Sequence, residues 1–101
     1  MLFPILGTLW PSGMNLIGAS LLANYGEQHR EAVPFLAGLH ALIREARWRD
    51  QSDVESQFRA IARFEGAGTV VLEIGEVRLR AVLHVNYALG LVRVACVSTL
   101  E

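Results

Sequence analysis

Lysine is missing from this chain: all nine basic residues are arginine. Arginine's planar fork suits phosphate oxygens, but a GC-rich genome produces the same bias, so the absence alone says little about a ligand. With ten acidic residues the formal charge is −1, which excludes global steering toward nucleic acid and leaves that task to a local patch. Cysteine is nearly absent as well. Cys96 stands alone, so neither a disulfide framework nor a cysteine zinc site fits within one chain. In its apolar surroundings Cys96 reads as a small buried hydrophobe, and a reducing, cytoplasmic setting is the simplest inference. No apolar run approaches the roughly 18 residues that span a bilayer, and the chain start lacks the basic residues of a secretory signal. A glycine-rich nucleotide loop is missing too, because Gly66-Ala67-Gly68 is not followed by a lysine and a helix. His29, His40 and His84 have neither metal-ligand spacing nor suitable acidic companions, so no metal and no cofactor is expected.

What is present is a chain of 101 residues, 52% of them hydrophobic, which describes one domain with a single modest core. Residues 1–13 are apolar but broken by Pro4, Gly7, Pro11 and Gly13; they read as an extension, with Met14 a candidate internal start and residues 14–101 the domain proper. Asn15-Leu16-Ile17 reads as a possible short strand, and residues 19–28 as a weak helix with Gly26 near its end. A stronger helix follows. Phe35, Leu36, Leu39, Leu42, Ile43 and Ala46 form one apolar stripe that Pro34 opens at its first turn. His40 lies off that stripe, at the surface or its edge. A further helix is expected over residues 50–63, with a capping box from Ser52 to Glu55 and a buried stripe of Val54, Phe58 and Ile61.

After the breaker Glu65-Gly66-Ala67-Gly68 the period changes to two. Residues 69–74 predict a strand, Gly75-Glu76 a tight link, and residues 77–87 a second strand in a hairpin. That second strand alternates: Val77, Leu79, Ala81, Leu83, Val85 and Tyr87 on one face, Arg78, Arg80, His84 and Asn86 on the other, with Val82 the one apolar intruder. Ala88-Leu89-Gly90 turns the chain into a third strand over residues 91–99, with Arg93 near an edge. If Tyr87 pairs with Leu91, Arg80 faces Ser98 and Arg78 faces Leu100, unless a bulge at Gly90 shifts the register. The expected fold is therefore α+β: N-terminal helices packed on a small antiparallel sheet, with a possible short N-terminal strand. A solvated sheet face explains the polar side of 77–87 without any function. An arginine-bearing face suits a phosphate equally, with a histidine or tyrosine nearby as acid or base.

The order helix, helix, three-stranded meander resembles the HigB toxins, RelE/ParE-like mRNA interferases of bacterial toxin–antitoxin modules. The resemblance rests on REARWRDQSDVESQF (residues 44–58) and VVLEIGEVRLRAVLHVNYALGLVRVACVST (residues 70–99), and it runs without a gap over residues 14–99. It implies a compact ribonuclease-like domain that cleaves messenger RNA on the ribosome and is neutralised by a HigA-type helix-turn-helix antitoxin. Arg80 takes the family's strand arginine, and with His84 it forms the expected catalytic pair. Arg78, Arg93 and the arginines flanking Trp48, Arg47 and Arg49, are the expected RNA contacts. Trp48 itself reads as packing. The chain departs from the family's pattern at Val77, where a hairpin asparagine is usual, at Ala95, where an arginine is usual, and at Leu100, where a histidine is usual. Leu100-Glu101 has the look of a cloning remnant. Two readings stay open beside active cleavage: a catalytically decayed toxin fold that only binds its antitoxin, and a structural oligomer that uses the apolar start and the strand edges.

Overall fold

The computed structural model describes residues 14–100; residues 1–13, including the candidate extension, and Glu101 lie outside them. The described residues form one sheet covered on one side by helices. Strands β1 (Asn15–Ile17), β2 (Ala62–Phe64), β3 (Thr69–Ile74), β4 (Leu79–Asn86) and β5 (Leu91–Thr99) stand in the order β1-β5-β4-β3-β2. Helices α1 (Ala19–Gln28), α2 (Val33–Glu45) and α3 (Gln51–Phe58) lie between β1 and β2 in sequence. All pairings are antiparallel except β1 with β5, which is parallel. The α+β class and the short N-terminal strand are therefore as expected, but two three-residue strands widen the meander to five strands. No helix among the described residues is long and apolar enough to cross a membrane.

The core lies between the helices and one sheet face. Leu36, Leu39, Ile43 and Ala46 of the α2 stripe are buried with Trp48, Val54 and Phe58, against Val70, Leu72, Leu79, Ala81, Leu83, Val85, Val92 and Val94 of the sheet. Phe35, at one end of the predicted stripe, is instead 38% exposed. Close approach of α1 and α2 explains Gly26. A Cβ there would sit 3.2 Å from Val33 Cγ2 and 3.3 Å from Leu36 Cδ1, tighter than side chains normally pack.

The third helix is shorter than its sequence pattern suggests. It ends at Phe58; Arg59 takes φ 56°, a single 3-10 turn covers Arg59–Ile61, and residues 62–64 are a strand. With positive φ, Arg59 closes the ladder on the Glu55 carbonyl and cannot continue it, so Ile61 leaves the stripe and is 36% exposed. Its start also differs. Asp50, one turn's reach from Asp53, is the N-cap and its side chain accepts from the Asp53 backbone N–H. Asp53 in turn accepts from the Arg49 backbone N–H at 2.8 Å. A capping-box-like pair thus forms two residues earlier than Ser52 and Glu55, its second bond reaching Arg49 rather than the N–H of the N-cap itself.

That backbone hydrogen bond chiefly holds the Asp53 carboxyl below its ordinary range, opposed by desolvation and helped by the Arg49 side chain. A carboxyl depressed on folding adds stability above its unfolded value of about 3.9, and loses it as pH falls through the folded value. Asp53→Asn is accordingly expected to narrow its stability gap to the native chain as pH falls below about 4, read by urea unfolding across pH. Asp50→Ala is expected to cost about 1 kcal/mol through loss of the cap. Ile43→Ala, at 0% exposure, should cost about 2–5 kcal/mol, while Ile61→Ala should cost under about 1 kcal/mol; equal losses would return Ile61 to the core.

A candidate anion-binding sheet face

The face of the sheet turned away from the helices carries the candidate chemistry. Alternation along β4 puts Leu79, Ala81, Leu83 and Val85 in the core, which leaves Arg80, Val82, His84 and Asn86 on the open side. Cross-strand partners share a face. Thr69, Val71 and Glu73 of β3 thus stand beside His84, Val82 and Arg80, with Arg63 of β2 beside Val71. On the other flank Ser98, Cys96, Arg93 and Leu91 of β5 stand beside Arg80, Val82, His84 and Asn86.

Arg80 does face Ser98, but not by the expected route. The hairpin closes on Asn86 and Leu91 rather than on Tyr87 and Leu91, and a bulge between Val82 and Leu83 leaves Ala95 as the extra residue on β5. The two one-residue departures cancel beyond the bulge. The bulge also inverts alternation along β5. Cys96 is thereby carried to the open face and is exposed, not buried as its sequence context suggests.

Three of the six candidate site residues, Arg80, His84 and Arg93, come together on this face. The other three do not. Arg78 lies outside β4, because the 3-10 turn Gly75–Val77 takes up Val77 and leaves Arg78 in the left-handed region at φ 53° and ψ 49°. The predicted strand 77–87 is therefore shortened at its start, and alternation no longer carries Arg78 to the polar face. Its carbonyl accepts from Leu100 N at 2.7 Å, so it does lie opposite Leu100. Arg47 and Arg49 are exposed in the α2–α3 connection, on the helical side of the molecule. There Arg49 pairs with Asp53 at 3.4 Å. Trp48 between them is 4% exposed, packs edge-on against Phe58 and donates to Gln57 Oε1 at 2.8 Å. It is a packing residue, as expected.

The guanidinium of Arg80 is already engaged. Its Nε and one terminal nitrogen donate to Glu73 Oε2 at 3.3 and 3.1 Å. Arg63 donates to the same oxygen at 3.3 Å and to Glu65 at 3.3 Å. Two arginines and two carboxylates form a balanced ladder at this end of the face. At the other end Arg93 donates to Nδ1 of His84. Arg80 and His84 are four residues apart on one strand, about 13 Å along the backbone, and the Arg80 guanidinium is bound to Glu73. Asn86 spends its side-chain oxygen on the Leu89 backbone N–H at 3.0 Å. Tyr87 packs against the helical core, and burial, then the nearby Asp50, pushes its hydroxyl above the ordinary value. It stays protonated at neutral pH and is no base for chemistry on the open face. No group of three His, Cys, Asp or Glu side chains arranged to hold a metal occurs among the described residues.

Arg63, Glu73 and Thr69 were not among the sequence candidates. Glu73 and Thr69 were legible from alternation along residues 69–74, whereas Arg63 was hidden inside an overextended helix. No protein-family model matches the chain, and no curated protein matches it. Removing the carboxylate at the shared position tests the ladder. Glu73→Gln is expected to change unfolding free energy by less than about 1 kcal/mol, as exposed pairs do, and to tighten binding of a single-stranded RNA oligonucleotide by adding net positive charge to the face. Weaker binding would show that Glu73 does not compete for those arginines.

Proposed function

We propose that this chain is a toxin-fold protein of the HigB and RelE/ParE type whose open sheet face is directed at messenger RNA. The observation that supports it most is the convergence of Arg80, His84 and Arg93 on one face while the helices bury the other. In this reading the protein works in the cytoplasm, meets messenger RNA on the ribosome, and is restrained by a HigA-type antitoxin. Phosphate contacts from arginine give affinity without sequence preference.

Between cleavage and binding alone, one observation favours binding. Cleavage by a charge-stabilised pentavalent transition state needs an arginine and an acid or base at the same phosphate. Arg80 is held by Glu73 and stands about 13 Å from His84. A catalytically decayed member fits that separation of the expected pair; an active enzyme would have to use Arg93, the arginine that does contact His84, in place of Arg80.

Strong expression with and without a HigA-type helix-turn-helix antitoxin, followed by growth, translation and message integrity, separates these readings. Growth arrest with cut messages supports an active interferase. Antitoxin capture with intact messages supports the binding form. Intact messages without antitoxin capture or RNA binding would reject the toxin reading altogether. In vitro, single-stranded RNA binding is expected to fall with salt at a log–log slope of about −0.7 to −1.4, one or two phosphates at about 0.7 each.

A further inference from the structure

Within the open face, the geometry points to a phosphate seat at Arg93, His84 and Thr69, and not at Arg80. This deepens the RNA reading above and depends on it only for the identity of the natural ligand. Four strands contribute one row: Ile17 of β1, Arg93 of β5, His84 of β4 and Thr69 of β3. Neighbours along such a row stand roughly 5 Å apart, which is the span a tetrahedral anion needs to touch two or three of them.

The chemistry of the row suits an oxyanion. Because an arginine can only donate, the contact makes His84 Nδ1 the acceptor and leaves Nε2, on the far side of the ring, for another partner. Only one terminal nitrogen of Arg93 is used in this contact, and the rest of its donor fork stays available. Thr69 adds a hydroxyl on the same face. Among the described residues no carboxylate pairs with Arg93. The acid nearest the row in sequence register, Glu65, pairs with Arg63 at 3.3 Å instead.

The contrast with Arg80 decides the location. A phosphate at Arg80 must displace Glu73 from two donors and leave Arg63 with only Glu65. At Arg93 it meets a cation whose one recorded partner is the His84 ring, with no carboxylate to displace. The apolar flank at Ile17, 48% exposed, gives a base or ribose a surface beside the phosphate. Arg93 therefore serves as the anion contact and His84 as the group that orients the Arg93 fork.

The test is a titration of the full chain with inorganic phosphate, followed by NMR of histidine rings, arginine side chains and backbone amides, with sodium chloride at matched ionic strength as control. Saturable shifts centred on His84, Arg93 and Thr69 that chloride does not reproduce are expected. Arg93→Ala should reduce phosphate affinity at least about tenfold, as loss of a charged hydrogen bond does. Arg93→Lys should restore part of it, and Arg44→Ala, the same charge change on exposed α2, should leave it within about twofold. Shifts centred on Arg63 and Arg80, shifts equal in chloride, or an equal loss in Arg44→Ala would overturn the proposal. If Arg93→Ala fails to fold, shift mapping on the native chain and Arg93→Lys still decide it. A short single-stranded RNA is then added against phosphate. Displacement from the same resonances identifies the ligand as a nucleic-acid backbone. Phosphate binding that RNA does not displace keeps the seat and removes the RNA reading.

Discussion

Burial of every second residue of β4 beneath the helices is the constraint on which the rest of the structure depends. Leu79, Ala81, Leu83 and Val85 are each buried, three of them completely. Since the side-chain period of a strand is two, this commits Arg80, Val82, His84 and Asn86 to the opposite side. A slip of one residue would place an arginine, a histidine and an asparagine in the core, which is prohibitive without partners. The hydrophobic layer thus sets the position of the polar one. The neighbouring strands inherit the arrangement through their register, and the bulge at Ala95 adjusts β5 so that Val97 and Val94 both reach the core side while Cys96 and Arg93 do not.

The open face is not uniform. One end is an alternation of charges across three strands, Arg63, Glu73 and Arg80, with Glu65 behind. Half-exposed pairs of this kind add little stability, but they neutralise the arginine that the family resemblance ranks first. The other end carries Arg93 and His84 with no carboxylate between them. Between the two lie Val82 and Val71, the latter 3% exposed beneath its neighbours. A protein of net charge −1 has little long-range attraction for RNA, so any affinity must be concentrated where charge is left unmatched.

Much of the fold was legible in the sequence because its signals are local and periodic. The bounds of α1, the Pro34 start of α2, and the strands over residues 69–74 and 91–99 follow directly from apolar spacing and breakers. The failures share a physical cause: each is a short irregular backbone element that propensity does not encode. Arg59 and Arg78 both adopt positive φ without glycine. The first ends α3 early and releases β2, and the second shortens β4. The three residues of β2 are too few to show a period, so Arg63 was assigned to a helix and its pairing with Glu73 went unseen. Cys96 was misplaced for a related reason, since a bulge inverts alternation without a glycine to announce it. Half of the candidate site was readable for the converse reason: Arg80, His84 and Arg93 belong to long strands whose burial pattern fixes their direction.

The central claim is that RNA, if this protein meets it, lies across the open sheet face and not against the helices. Photo-crosslinking of the full chain to a short single-stranded RNA carrying a photoreactive uridine, with the attached residues mapped by mass spectrometry, tests that claim most directly. Crosslinks on open-face positions of β1, β3, β4 and β5, concentrated around His84 and Arg93, are the expected result. Crosslinks confined to α1, α2 or the Arg47–Arg49 connection, or none above background at low salt, would contradict it.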